Sequence, residues 1–340
     1  MRKKVVRGIC CILGIVLCVS LLAACQQDAP DGAAQDDGHF SDVHIVFFPG
    51  GSEGCPFASV VFNGAQAAAA DLGIRVDYMW SDWDPGQMID QFRSAIAMQP
   101  TGIAIMGHPG DEAFAPLVNE AKAAGIVVTS QNSELPTIEA QFKEAGFGYV
   151  GQGLYASGAM LANAAISRSG IQPGETAIVW GLLAQEGRGE RTRGAVNALE
   201  AAGINVVYYE ISDAINAEAA LGTSVFVGFM AANPETRLVI TDHGSLTATV
   251  GTFISAAGMA PDDIFAAGFD LSPATVDAIN SGYLDIILDQ QPWLQGYLPI
   301  LQIALTATYG FSGLHIDTGA SIIDTNNIGI VAPLADRGIR

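Results

Sequence analysis

The chain has 340 residues, half of them hydrophobic, with 35 acidic and 15 basic side chains and a formal net charge of −20 at pH 7. That length exceeds one average domain and predicts two lobes with a large core. So acidic a surface argues against nucleic-acid phosphates and anionic membrane surfaces as partners, and it favours solubility.

The strongest local signal is at the start. Arg2, Lys3, Lys4 and Arg7 form a basic stretch, Gly8 to Leu22 is continuously apolar, and Leu22-Ala23-Ala24-Cys25 follows. The apolar run is short for a membrane span, which needs about 20 residues, but suits the core of a secretory signal peptide. Leu22 to Cys25 resembles a bacterial lipobox, so residues 1–24 are expected to be a lipoprotein signal peptide and Cys25 the lipidated residue. Removing that segment leaves 11 basic against 35 acidic side chains. Residues 25–41, small, polar and acidic, read as a flexible tether. Cys10, Cys11 and Cys18 leave with the signal, so Cys55 stands alone, with no intramolecular disulfide and no thiol-based metal site.

From Val43 a rhythm of short apolar runs and longer segments ending near glycine begins. VHIVFF, IRVDYMW, GIAIMG and IVVTS read as strands. FASVVFNGAQAAAADLG, GQMIDQFRSAIAMQ and DEAFAPLVNEAKAAG read as the helices between them, the second introduced by Asp84 as N-cap and Pro85 at the first helical position. The rhythm restarts after FGYVG with ASGAMLANAAISRSG (helix), TAIVWG (strand), ERTRGAVNALEAAG (helix), INVVYYE (strand), AINAEAALGTSVFVGFMAANP (helix), RLVITD (strand), SLTATVGTFISAAG (helix), IFAAGFD (strand) and YLDIILD (strand). Alternation of this kind predicts an α/β protein made of two doubly wound, Rossmann-like lobes with parallel sheets. The remainder is too short for a third domain, so its helix, Trp293 to Tyr309, and short strands near SIID and IGIV are expected to be shared. The N-terminal lobe is then 42–151 with 291–318 and the C-terminal lobe 152–290 with 319–340, joined by a three-segment hinge.

Several motifs fail on context. Gly50-Gly51-Ser52-Glu53-Gly54 satisfies G-x-S-x-G, but Cys55-Pro56 intervene before the helix, which is wrong for a nucleophile elbow. Gly151-Gln152-Gly153 and Gly187-Arg188-Gly189 lack the third glycine of a dinucleotide fingerprint, there is no P-loop, and no His or Cys spacing suits a metal. The expectation is a protein that is not an enzyme and uses no cofactor or metal.

In open parallel sheets, ligands bind beyond the carboxyl ends of the strands. Asp270 ends IFAAGFD, and Gln290 follows YLDIILD at the point where the chain is expected to cross lobes.

Two α/β lobes, the lipoprotein signal and the series CPFASVVFNGA, GIVVTSQN, RTRG, VITDHG, AGFDLSP and LDQQPWLQG together resemble the type I periplasmic-binding-protein family, in particular its ribose- and galactose-binding branch. The resemblance spans about residues 43–330. It implies a sugar or sugar-like polyol held between lobes that close over it, and delivery to an ABC importer's permease by a monomer that touches the membrane only through its lipid. A nucleoside or furanosyl signal as ligand, or a chemotaxis or sensor receptor, are the alternatives. Matched by motif, Phe57 falls where the family places a ring against the sugar, and Gln131, Asn132, Arg193, Asp242, Asp270 and Gln290 fall at polar binding positions. The chain departs from the family at Cys55, usually polar, at Ala58, often a second ring, and at Gln131-Asn132, where the ribose branch carries an acid and an arginine. Plain structural roles also exist: Phe57 as core, Arg193 paired with Glu190, Asp242 as cap of the helix near Gly244. Trp83 and Trp180 read as core, and His108 as a possible rim residue outside the predicted site.

Overall fold

The computed structural model describes residues 39–340 apart from Ala320. The expected signal segment, Cys25 and almost all of the tether lie outside the described residues. In chain order the elements are β1 (His44–Phe47), α1 (Pro56–Leu72), β2 (Arg75–Tyr78), α2 (Pro85–Ala97), β3 (Gly102–Met106), α3 (Gly110–Ala123), β4 (Val127–Gln131), α4 (Pro136–Phe142), β5 (Gly148–Gly151), α5 (Leu154–Ser169), β6 (Thr176–Gly181), α6 (Glu190–Ala201) and β7 (Asn205–Glu210). They continue with α7 (Asp213–Ala217), α8 (Thr223–Ala232), β8 (Thr236–Thr241), α9 (Gly244–Ala256), β9 (Phe265–Phe269), α10 (Pro273–Asn280), β10 (Ile286–Asp289), α11 (Pro292–Tyr309), β11 (His315–Asp317), β12 (Ser321–Ile323) and α12 (Ile328–Ala335).

The strands form two six-stranded sheets, ordered β11-β5-β4-β3-β1-β2 and β12-β10-β9-β8-β6-β7. Every pairing is parallel except β10 with β12. Leaving out the outer strands β11 and β12, each sheet has the doubly wound order 2-1-3-4-5, which reverses between β1 and β3 in the first and between β6 and β8 in the second. The chain passes from the first sheet to the second between β5 and β6, returns between β10 and β11, and passes again between β11 and β12. Central strands such as β3 and β6 are buried at every position, as strands covered by helices on both faces must be.

Local chemistry fixes the helix starts. Asp84 caps α2 by accepting from Gln87 N at 2.9 Å, and Ser272 and Thr275 close a reciprocal capping box on α10. α5 and α6 cross with backbones almost touching: a Cβ on Gly158 would lie 1.9 Å from Arg191 O, and one on Gly194 would lie 2.1 Å from Tyr155 O.

Two expectations need correction. The single helix expected over AINAEAALGTSVFVGFMAANP is broken into α7, a 3-10 turn at Ala219–Gly222, and α8. Glu218 is extended (φ −137°, ψ 95°), and Gly222 packs so close to Trp180 that a Cβ would sit 2.6 Å from the ring. The strand expected at IGIV is the helix α12. Its buried residues Ile328, Val331 and Ala335 recur at helical spacing and face the second lobe's core, a periodicity that a short apolar run hides. Among the described residues no helix is long and apolar enough to cross a membrane.

The glycine contacts make opposite predictions for two substitutions. Gly194→Ala should lower the free energy of unfolding by about 1–3 kcal/mol, the usual cost of overpacking. Gly228→Ala, with nothing within 4 Å of the added carbon, should raise it by about 0.5–1 kcal/mol through helix propensity. Chemical denaturation of both variants measures the two shifts, and a stabilised Gly194→Ala would contradict the close crossing.

Candidate ligand-binding site

The two sheets present their carboxyl-end loops to each other around a narrow cleft whose free space, solvent at its mouth included, is about 390 Å³. Strand register puts the lining groups there. Met106 on β3 is level with Gln131 on β4, so His108 and Asn132 emerge together. Phe269 on β9 pairs with Leu288 on β10, and Asp270 N donates to Leu288 O at 3.0 Å, which sets Asp270 beside Gln290.

One wall is aromatic. Phe57 comes from the first turn of α1, and Trp83 from the turn after β2, where a left-handed backbone (φ 61°) turns the residue inward and its N–H donates to Gly50 O at 3.0 Å. Their ring centroids are 5.9 Å apart, His108 stacks on Trp83 at 5.4 Å and 18°, and His243 from the second lobe meets Trp83 edge-on at 5.8 Å. A ring–ring contact across the cleft means that the lobes are closed on each other.

The opposite wall is polar and charged. Asp242, 1% exposed, accepts from Arg188 Nη1 at 3.0 Å and Arg191 Nε at 2.6 Å, and from the Thr192 hydroxyl. Both guanidinium groups also donate to the Asp242 backbone carbonyl. Burial alone would raise the Asp242 carboxyl, but the two arginines hold it below the usual carboxylate range. Arg191 also lies over the Phe269 ring at 4.1 Å. Asp270 accepts from Gln290 Nε2 at 2.6 Å, and burial raises its carboxyl against the opposing pull of Arg191 and that amide. His108 and His243 are pushed down to about 3, by burial first and then by Arg188 and Arg191, so both rings are neutral at ordinary pH. Four lining groups have a buried atom without a partner: Gln185 Oε1, Arg191 Nη1, Asn216 Oδ1 and His243 Nδ1. Such atoms are costly to leave unsatisfied and call for a ligand that both donates and accepts. Among the described residues no group of His, Cys, Asp and Glu could hold a metal ion.

Of the seven side chains singled out from the sequence, Phe57, Asn132, Asp270 and Gln290 line the cavity, and Gln131, Arg193 and Asp242 do not. Gln131 is fully buried and ties β4 to the end of β1, its Nε2 donating to Phe48 O at 2.9 Å. Asp242 neither caps α9 nor reaches the cavity; it anchors the arginines that do. Arg193 is the clearest correction. Its side chain is 49% exposed and pairs with Glu190 at 3.0 Å, while Arg191 points inward. Successive helical residues turn by about 100°, so positions two apart face nearly opposite ways, and a motif match that slips by two residues picks the wrong face. The sequence reading also left out Arg188, Gln185, Asn216 and His243. Trp83, expected in the core, belongs to the core and to the cavity wall alike. The His243 that follows the strand RLVITD was the one visible signal. Asn216 is brought in by the helix break at Glu218.

The family model described as "Periplasmic binding protein domain" matches residues 45–308. The Xylose/arabinose-binding protein XylF of Sulfolobus acidocaldarius is 29% identical over 294 residues, covering 80% of this chain and 69% of that protein. A carbohydrate transporter from Acidothermus cellulolyticus, solved with myo-inositol, superposes with a TM-score of 0.74 at 25% identity, covering 88% of this chain and 99% of the other. An ABC transporter solute-binding protein from Burkholderia graminis, solved with D-arabinose, shares the fold with a TM-score of 0.74 at 22% identity, covering 84% of this chain and 96% of the other. Two doubly wound sheets closed over a polar cavity, with a family match over most of the chain, lead to one conclusion: the chain belongs to the periplasmic binding protein family.

Proposed function

We propose that this protein is the extracytoplasmic solute-binding component of an ABC importer, capturing a neutral sugar or sugar-like polyol between its lobes and handing it to the permease. The observation that carries the ligand class is the cavity itself: a polar wall with unpartnered donors and acceptors, facing a wall of Phe57 and Trp83. A sugar hydroxyl is donor and acceptor at once, and a sugar ring has apolar C–H faces that suit aromatic side chains. The solutes named for the relatives, the pentoses xylose and arabinose and the cyclic polyol myo-inositol, are all neutral polyhydroxyl compounds. No bond in the ligand is made or broken; the open form binds, closure adds the second lobe's hydrogen bonds, and the permease reads the closed form. The chain acts as a monomer and is held to the membrane by a lipid on Cys25.

Three measurements check this reading. A melting screen of pentoses, hexoses, inositols and polyols should find a ligand that stabilises the protein by about 2.7 kcal/mol at 100 times its Kd. If none does so while charged solutes do, the ligand class is wrong. With that ligand, Asp270→Ala should weaken binding about 10- to 100-fold, the usual cost of leaving a buried polar group without its partner, while Arg193→Ala leaves the affinity unchanged. Loss of binding in Arg193→Ala would contradict the placement of the cavity. Radiolabelled fatty acid should enter the wild-type chain and not Cys25→Ser.

A further inference from the structure

The amide groups around the cavity have a fixed donor and acceptor sense, which is set from outside the cavity. The Gln290 backbone carbonyl accepts from Thr318 Oγ1 at 2.9 Å and from Gln295 Nε2 at 3.0 Å. A carbonyl cannot donate, so the end of the Gln295 amide facing it must be the amino group. Gln295 Oε1 then faces Asn132 at 3.1 Å and requires Nδ2 as donor. Asn132 Nδ2 also donates to Gln290 Oε1 at 3.1 Å, and Gln290 Nε2 passes the same sense on to Asp270 Oδ1. Turning the Asn132 amide over would set its oxygen against two other oxygens. Its Oδ1 therefore stays where it is, 3.0 Å from His108 Nε2, and only a protonated Nε2 can bond there.

We infer that Gln295 is a positioning residue that orients the Asn132 and Gln290 amides from behind the cavity wall and thereby holds His108 as its Nε2–H tautomer, with Nδ1 as the ring's acceptor. Gln295 is fully buried and does not line the cavity, so it acts only through its neighbours. It stands beside two of the chain crossings: on α11 just after β10, against Gln290, and within 3.3 Å of Thr318 Oγ1, which precedes β12. The low proton affinity of the buried His108 ring fits a neutral imidazole whose proton is already committed. The inference deepens the proposed function and rests on it for the ligand alone: acceptors at His108 and Asp270 select a solute whose hydroxyls donate at that end.

The test is nitrogen NMR of the full chain, labelled with [15N]histidine in detergent micelles without ligand, with the His108 signal assigned from its loss in His108→Gln. The expected result is a neutral ring protonated on Nε2 in the wild type. In Gln295→Met, which keeps the length and removes the side-chain hydrogen bonds to Asn132, Gln290 and Thr318, the signal should become a mixture of tautomers, with solute affinity reduced at least about 10-fold. In Gln295→Glu near pH 5, a buried carboxylic acid offers one donor and one acceptor, and the wild-type tautomer should persist. A wild-type ring protonated on Nδ1 overturns the inference without any variant, and so does a folded Gln295→Met with an unchanged tautomer. If Gln295→Met does not fold, Gln295→Glu decides, a tautomer mixture there counting against the inference. Because the tautomer is read without ligand, failure of every sugar to bind would sink the functional proposal and leave this one standing.

Discussion

Asp242 is the group on which the rest of the site depends. It is a carboxylate buried beyond the reach of solvent, and it survives there because Arg188, Arg191 and Thr192 converge on it. An isolated charge at that depth would be neutralised or would unfold its surroundings. The arrangement contributes little to stability in net terms, since taking three charges out of water offsets most of their attraction. Its effect is geometric. Two long, flexible arginine side chains from the segment entering α6 are pinned to the end of β8, one of them also over Phe269, so that an unpartnered Arg191 Nη1 is left at the cavity wall.

The same logic of fixed polarity runs across the cleft. Asp270, Asn132 and Gln291 all have left-handed backbones, with φ of 74°, 64° and 55°, and stand within two residues of a strand end. Each turns the chain abruptly, so that a side chain leaves the sheet toward the cavity or the crossing. Gln290 links them: its side chain joins Asn132 of the first lobe to Asp270 of the second, and its backbone carbonyl holds Gln295 and Thr318. The cavity-lining groups of both lobes and the chain crossings are therefore parts of one hydrogen-bonded assembly.

How much of this could be read from the amino-acid sequence depended on the range of the interactions involved. The βα alternation is local, and nearly every central strand and helix follows from runs of apolar residues, glycine stops and caps such as Asp84. Asp270 and Gln290 were legible because a polar residue at the end of a buried parallel strand has one place to go. Arg191 was not, because choosing between Arg191 and Arg193 needs the rotational phase of α6, which the buried contact of Gly194 with Tyr155 O decides. Asn216 and α12 were missed for a related reason: a helix break imposed by Trp180 packing, and an amphipathic helix disguised as a short apolar strand, are settled by tertiary contacts. Gln295 carries no sequence signal, since its role exists only where three separate chain segments meet.

The most direct test of the central claim is a crystal structure of the protein with its bound solute. An uncharged polyhydroxyl ligand should lie between Trp83 and the Arg191–Asp270 wall, its hydroxyls on Arg191 Nη1, Asn216 Oδ1 and His243 Nδ1. A ligand bound elsewhere, or an anionic one that displaces Asp242 from Arg188 and Arg191, would contradict it.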